Sequence, residues 1–271
     1  MGHADSELRQ PSGSQGINAG GPAGLIRWKS QGSQPLNPHS INAPSPSALL
    51  ADLFDIAVSA FELRGALPDA SLHPDEAACV ARAAPQRIAE FAAGRACARA
   101  ALAQLEIRDF ALRMGPDREP LWPQGIAGSI THTAQFCGAV VARGAPARLL
   151  GVDAEHRTAL RPELWRHITT AEERSWLETL EPDCGRQMAA LLFSAKESFF
   201  KCQYPRTRQW LGFNDVSVRV EGQSFQVLPR AAVKLQELAA APWTGRFSLS
   251  GELLVTGICV TAAAAAASSG E

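Results

Sequence analysis

The clearest hydrophobic pattern in the chain belongs to a long helix in its second half. Residues 188–193 are apolar almost all round, which is typical of a buried helix. The next segment, 193–201, reads Phe-Ser-Ala-Lys-Glu-Ser-Phe-Phe-Lys and places Ser194, Glu197 and Lys201 on one helix face, at steps of three and four residues. Because a buried carboxylate or ammonium is costly unless it is paired, metal-bound or used on a ligand, this face predicts a functional site.

Periodicity elsewhere predicts helices and strands in two successive groups. Alternation and short apolar runs predict strands at 53–63, 136–141, 149–156, 210–220, 224–228, 247–250 and 253–260. Helical spacing predicts helices at 74–80, 85–105, 162–170, 171–180 and 185–203. Thr170 with Glu173 is typical of a capping box. Since each half runs strand, helices, strands, we expect an α+β fold of two similar subdomains with a cleft between them, although no sequence repeat relates the halves.

The domain limits follow from changes in composition. Residues 1–47 are rich in Gly, Ser, Pro, Asn and Gln, and we expect them to be disordered or extended. We expect an N-terminal α+β half at 48–148 and a C-terminal α+β half at 149–261. The Ala- and Ser-rich segment 262–271 is typical of a flexible tail.

Composition and charge exclude several function classes. A formal net charge of −1 over 271 residues argues against a nucleic-acid-binding surface. No run reaches the roughly 18 apolar residues that a membrane span requires, and the 6 Cys are scattered without metal-binding spacing. We expect a cytoplasmic protein with reduced thiols.

Lysine is rare in this chain and concentrated in the segment 193–201. Only four lysines occur among 26 basic residues, and Lys196 and Lys201 both lie in this segment. We interpret this bias as an indication of chemistry rather than of a chance surface ion pair. Lys196 points away from the Glu197 face, and its role stays open.

A second cluster of polar residues lies in the first half. Arg95 and Arg99 are four residues apart and Arg87 lies two turns earlier, which is typical either of a solvated helix stripe or of an anion site. Arg118 follows in a turn-rich loop. Beyond it come hydroxyl groups and one histidine, which suit a phosphate-facing site or a structural histidine: Ser129, Thr131, His132 and Thr133.

Asp153 and Glu155 are two residues apart on a predicted strand and therefore point to the same face. Two such carboxylates repel each other unless a cation lies between them, and oxygen ligands suit Mg²⁺. With Glu197 they supply three carboxylates from one strand and one helix.

Taken together, these motifs resemble the 4′-phosphopantetheinyl transferase family. Gly-Val-Asp-Ala-Glu at 151–155, followed by the segment 193–201, resembles the paired signature of that family. Phe-Ala-Ala-Gly-Arg at 91–95, Arg-Glu-Pro-Leu-Trp-Pro at 118–123 and Gly-Ser-Ile-Thr-His at 128–132 resemble its enterobactin-synthetase (siderophore-type) branch. The resemblance covers roughly residues 48–260.

The resemblance implies an activity, a fold and a set of partners. The activity is Mg²⁺-dependent transfer of the phosphopantetheine arm of coenzyme A to a serine of an apo acyl or peptidyl carrier protein, with release of adenosine 3′,5′-bisphosphate. The fold is a pseudo-dimer of two α+β halves with coenzyme A in the cleft, and a monomer is expected. A Mg²⁺-dependent phosphohydrolase and an inactive relative that binds only coenzyme A or the carrier are the alternatives.

The resemblance also implies roles for individual residues. It implies that Asp153, Glu155 and Glu197 bind the metal ion. It also implies that Glu197 acts as the catalytic base and that Lys201 lies at the reacting phosphates. The residues that it implies contact coenzyme A are Arg87, Arg95, Arg118, Thr131, His132, Asp153 and Lys201. Thr131 stands where relatives carry serine, Ala154 where they carry a branched aliphatic residue, and Phe193 fits the enterobactin-type branch.

Overall fold

The computed structural model describes residues 43–65, 71–145, 148–157, 160–230 and 243–261. The strands are β1 Ser45–Pro46, β2 Ser59–Arg64, β3 Ile126–His132, β4 Phe136–Arg143, β5 Arg148–His156, β6 Val216–Glu221, β7 Ser224–Pro229, β8 Thr244–Ser250 and β9 Leu253–Thr261. The helices are α1 Ala48–Ala51, α2 Pro74–Val80, α3 Pro85–Gln104, α4 Pro162–Ile168, α5 Ala171–Leu177 and α6 Pro182–Thr207, with a 3₁₀ turn at Phe213–Asp215. This mixture of helices and antiparallel sheets confirms the predicted α+β class.

The strands form two antiparallel sheets, one in each half of the sequence. The first has the order β1-β2-β4-β3 and the second the order β5-β9-β8-β7-β6. The long helix α3 packs on β2 and β4, whereas α6 packs on β5 and β9. Each half is therefore one sheet covered by one long helix, and the predicted pseudo-symmetry between the halves stays a prediction.

The two halves meet where β3 runs beside β5. The backbone N–H of Val152 donates to the Oγ of Ser129 at 3.0 Å. Apolar side chains from both sheets, including Val140 and Val255, share one core beneath this contact, and Phe54 from the segment after α1 packs into it. The contact places the polar residues of β3 next to the acidic residues of β5.

Gly151 allows β5 to lie directly on α6. A Cβ atom at this position would stand 1.9 Å from the carbonyl oxygen of Ser198 and 2.8 Å from the backbone nitrogen of Cys202. Only glycine leaves room for this approach, which brings the following residue pair, Asp153 and Glu155, up to the polar face of α6.

Most predicted elements are present, and the differences have tertiary causes. The predicted strand 53–63 is wrong in its first half, because the pairing begins only at Ser59 while Leu53 and Phe54 pack into the shared core without strand partners. Residues 210–215 form no strand and include the 3₁₀ turn. The strand β3 was not expected from its Gly-Ser-Ile-Thr sequence, and it exists through antiparallel pairing with β4.

Several expectations fall partly outside the described residues. Of the predicted N-terminal segment, residues 1–42 lie outside them, and Ser45–Pro46 pairs with β2. The predicted tail 262–271 also lies outside them. Within the described part of the chain, no helix is long and apolar enough to cross a membrane.

Candidate active site

A cleft of about 270 Å³ separates α3 and β3 from α6. Its wall also includes the loop before β3, which contains Arg118. The cleft collects most of the predicted site residues, although they are far apart in the sequence: Arg87, Arg95, Arg118, His132, Glu197 and Lys201.

Asp153 is the buried anchor of this site, with 4% of its surface exposed. The Nζ of Lys201 donates to its Oδ1 at 2.7 Å, and the Oγ1 of Thr131 donates to the same oxygen at 3.3 Å. The Oγ of Ser194 donates to Oδ2 at 2.9 Å. Residues of β3, β5 and α6 therefore fix one carboxylate, and the predicted face of Ser194, Glu197 and Lys201 does point into a polar site.

The other two predicted acids, Glu155 and Glu197, have raised pKa values. Burial, followed by the charge of Asp153, raises the pKa of Glu155 to about 7, while Lys201 opposes the shift. Burial and then the charge of Asp153 also raise the pKa of Glu197. Carboxylates in this situation favour a bound cation, and an oxygen-only set is the one that Mg²⁺ prefers.

The side chains do not form a closed metal cage as they stand. Among the described residues, no three His, Cys, Asp or Glu side chains lie close enough together to hold a metal ion. The ammonium of Lys201 instead supplies the positive charge beside Asp153. The three acids thus have the right chemistry for a divalent cation, and binding one would require side-chain rotation.

The rim of the cleft carries a cluster of Arg87, Glu90 and His132. The Nη1 of Arg87 lies 3.3 Å from Oε2 of Glu90 and 3.3 Å from Nε2 of His132, which is 3.4 Å from the same Glu90 oxygen. Burial lowers the pKa of His132, against the charge of Glu90. Glu90 was not singled out in the sequence, where its only signal is its position three residues after Arg87.

Arg95 forms part of the buried wall of the cleft. Its Nε donates to the carbonyl of Leu112 at 2.7 Å, and its guanidinium lies 4.0 Å from the centre of the Phe91 ring. Burial lowers the pKa of Arg95 to about 10, so the group stays charged at neutral pH. Arg99, one turn further along α3, does not line the cleft and pairs with the buried Glu76.

Thr131 and His132 are separated by the alternation of β3. Thr131 is 1% exposed and contacts Asp153, whereas His132 is exposed and lines the cleft. Neighbouring residues of a strand point to opposite faces. Of this pair, the structure gives only His132 direct access to a ligand in the cleft, while Thr131 helps to fix Asp153.

Lys196, whose role the sequence leaves open, is held in a buried ion pair. Its Nζ donates to Oε2 of Glu173 at 2.6 Å and to the carbonyls of Ile168 and Phe213 at 3.0 Å and 2.8 Å. Glu173 also accepts from the N–H of Val218 at 2.7 Å and closes the predicted capping box with Thr170. This buried ion pair ties α5, α6 and β6 together.

An apolar groove of about 250 Å³ adjoins the cleft on the other side of Glu197. Trp210 is 77% exposed, and its ring stands edge-on to that of Phe200, with 5.0 Å between centroids. Glu197 and Phe200 line both the groove and the cleft. No sequence motif marks this groove, because its residues come from α6, the segment that follows and the start of β6.

Two family models match the chain over most of its described length. The 4′-phosphopantetheinyl transferase N-terminal domain matches residues 75–142. The 4′-phosphopantetheinyl transferase superfamily matches residues 149–248. The matched regions contain the two walls of the cleft, α3 with β3 in the first and β5 with α6 in the second.

Curated proteins of similar sequence include 4′-phosphopantetheinyl transferases and an enterobactin synthase component. The 4′-phosphopantetheinyl transferase Svp of Streptomyces mobaraensis is 40% identical over 206 residues, which are 74% of this chain and 83% of the relative. The 4′-phosphopantetheinyl transferase PptT of Mycobacterium tuberculosis is 34% identical over 219 residues, 78% of this chain and 96% of the relative. Enterobactin synthase component D of Salmonella typhimurium is 36% identical over 160 residues, 56% of this chain and 64% of the relative.

Proposed function

The chain belongs to the 4′-phosphopantetheinyl transferase superfamily, as its motifs predict, and from this premise we propose a complete reaction for it. The serine hydroxyl of an apo carrier protein attacks the phosphorus that bears the pantetheine arm of coenzyme A. A new serine–phosphate bond forms, the pyrophosphate bond breaks, and adenosine 3′,5′-bisphosphate leaves. The observation that carries this proposal is the position of Glu197 and Lys201 beside Asp153 at one side of an arginine-lined cleft.

The arginine side of the cleft suits the phosphates of coenzyme A. Arg87, Arg95 and Arg118 line the same cavity, and Arg95 is already fixed by Leu112. Guanidinium groups bind phosphate oxygens through paired hydrogen bonds, and a partly desolvated cleft strengthens this attraction. His132 adds a neutral or cationic ring at the rim, held by Glu90.

Glu197 is proposed as the base for the carrier serine. It lines both the cleft and the apolar groove, so its carboxylate can meet a serine that approaches from the protein surface. Burial, followed by the charge of Asp153, raises the pKa of Glu197, which makes its carboxylate a better proton acceptor than that of an ordinary glutamate. The proton of the serine hydroxyl moves to this carboxylate as the serine–phosphate bond forms.

Lys201 is proposed to stabilise the charge that develops on the transferred phosphate or on the leaving group. It lies one helical turn after Glu197, and 28% of its side chain is exposed to the cleft side. An ammonium fixed in advance by Asp153 needs little rearrangement when this charge appears.

Asp153, Glu155 and Glu197 are proposed as ligands of Mg²⁺. Their oxygen-only chemistry fits the ion, and burial, followed by the charge of Asp153, raises the pKa of Glu155, a shift that a bound cation would oppose. When bound, the ion would neutralise negative charge on the pyrophosphate.

The apolar groove is proposed to receive the pantetheine arm. This arm is uncharged, and the groove next to Glu197 offers aromatic surface from Phe200, Trp210 and Phe213. A substrate that spans the cleft and the groove would bring its reacting phosphate to Glu197, which both share.

One experiment tests the proposal against its alternatives. The protein is incubated with coenzyme A, Mg²⁺ and an apo carrier protein, and the carrier is weighed by mass spectrometry. We expect a mass gain of one phosphopantetheine, and its absence would refute the transferase reaction. Release of adenosine 3′,5′-bisphosphate without a carrier would indicate a phosphohydrolase instead. Glu197→Gln should abolish transfer and keep the wild-type circular dichroism spectrum.

A further inference from the structure

We propose that Tyr204 and Arg208, at the end of α6, form a latch that holds the loop 115–120 and so positions Arg118 over the cleft. The latch consists of two contacts across the halves, Tyr204 with Asp117 and Arg208 with Glu119. The inference rests on the proposed function, since it concerns how the nucleotide side of coenzyme A is held relative to the reacting residues.

The loop 115–120 is a tight turn closed on itself. The N–H of Gly115 donates to the carbonyl of Glu119 at 2.8 Å, and that of Arg118 donates to the carbonyl of Gly115 at 3.1 Å. Arg118 has a positive φ of 68°, which is unfavourable for a side chain of its kind. A Cβ on Gly115 would stand 2.4 Å from the carboxylate of Glu119. The conformation that presents Arg118 therefore depends on where the Glu119 side chain is held.

The Glu119 carboxylate is held from outside the loop by Arg208. Its side chain is 7% exposed, and its Oε1 accepts from the Nη1 of Arg208. Inside the loop, Oε2 accepts from the N–H of Asp117 at 3.1 Å. Loss of Arg208 would leave a buried carboxylate without its cation, so Glu119 would have to turn towards water and release the loop.

A second contact lies one turn earlier on α6. Tyr204 and Asp117 both line the cleft here, and the interaction with the Asp117 carboxylate raises the pKa of Tyr204. The guanidinium of Arg208 lies 5.8 Å from the centre of the Tyr204 ring. Because the two latch residues also contact each other, they hold the loop as one unit.

The two latch residues lie at the end of the helix that carries the catalytic residues, α6. Glu197, Lys201 and Tyr204 follow one another at steps of four and three residues, which keeps them on one side of the helix. Arg208 is the capping residue just past the end of α6 and has a left-handed backbone with φ of 55°. The N–H of Arg208 donates to the carbonyl of Tyr204 at 2.9 Å, so the last residue is still held by the helix. One helix, with Pro205 near its end, therefore carries the reacting residues and leads directly to the residue that holds the loop of Arg118.

Arg208 allows a clean test because its side chain is 50% exposed and its replacement creates no cavity in the core. We expect Arg208→Gln to weaken coenzyme A binding about tenfold in calorimetry, with an equal rise in the KM for coenzyme A. The kcat and the KM for the carrier protein should stay within a factor of two. Arg208→Lys, which keeps the charge, should recover part of the loss, and Tyr204→Phe should show a smaller change in the same direction.

The matched control is Arg186→Gln, which removes another surface arginine of α6 from its ion pair with Asp183. Its coenzyme A affinity should equal that of the wild type. Hydrogen exchange of the loop 115–120 should be faster in Arg208→Gln and unchanged in the control. Equal coenzyme A affinity for Arg208→Gln and the wild type would overturn the inference. A wild-type protein that binds no coenzyme A would instead refute the proposed function and, with it, the inference.

Discussion

The Nζ of Lys201 lies 2.7 Å from Oδ1 of Asp153, and this ion pair links the catalytic helix α6 to the strand β5. The carboxylate side chain is 6% exposed and the lysine side chain 28%. The pair is thus buried on the acid side and open to the cleft on the basic side. This asymmetry is what a site needs if the cation is to meet a phosphate while the acid holds it in place.

Removal of this cation should affect transfer far more than folding. We expect Lys201→Met to lower kcat about 10²- to 10³-fold, the range found when a preorganised charge-stabilising group is lost. Asp153 would keep the hydroxyl groups of Thr131 and Ser194 as donors. Steady-state kinetics with coenzyme A and an apo carrier provide the measurement, and Lys201→Arg should retain part of the activity. A wild-type kcat in Lys201→Met would rule out the proposed role.

The raised pKa of Glu155 predicts how stability changes with pH in metal-free buffer. Its pKa moves from an ordinary value of 4.5 to about 7, mainly because of burial. Between these values the native state holds a proton that the unfolded state has released, so the free energy of unfolding falls as the pH rises. Below pH 4.5 both states are protonated, and above pH 7 the full cost of the buried charge applies.

Glu155→Gln should therefore be more stable than the wild type at pH 8 and equal to it near pH 4. Thermal melts with a chelator present measure the difference. Addition of Mg²⁺ at pH 8 should raise the Tm of the wild type more than that of the variant, because the ion lowers the cost of the charged acid. A variant that melts below the wild type at pH 8 without metal would contradict this account.

The ion pair of Lys196 and Glu173 predicts a stability effect without a direct catalytic effect. Lys196→Met would leave the Glu173 carboxylate buried with only backbone donors, which should cost about 3–5 kcal/mol of unfolding free energy. Urea unfolding measures this loss. A further Glu173→Gln substitution should restore part of the stability, since the remaining group is then neutral. If the double variant were as unstable as the sum of the single variants, the pair would not be coupled.

The sequence predicted the parts of the site that depend on local spacing. The two-residue step from Asp153 to Glu155 and the steps of Ser194, Glu197 and Lys201 each define a face that the structure retains. Strand and helix periods of two and 3.6 residues are enough for such predictions. The same reasoning found α2 and α3 within one residue of their ends.

The parts that were missed depend on contacts between distant segments. Glu90 contacts His132 on β3, and Lys196 pairs with Glu173 of α5. The latch joins Glu119 to Arg208, 89 residues further along the chain. Local periodicity carries no information about such pairs, because they are set by how the two sheets and their helices pack together.

Gly151, inside the Gly-Val-Asp-Ala-Glu motif, gives the sharpest test of how the fold positions the site. A Cβ there would stand 1.9 Å from the carbonyl of Ser198, so Gly151→Ala must push β5 away from α6. We expect a loss of about 1–3 kcal/mol or more in unfolding free energy, together with a fall in kcat, because Asp153 moves relative to Lys201. Gly212→Ala is the matched control for the free energy of unfolding, since its nearest neighbour, an Asp215 oxygen, would lie 3.4 Å away. Wild-type stability and activity in Gly151→Ala would show that the close approach of strand and helix is not what holds the acids at the catalytic face.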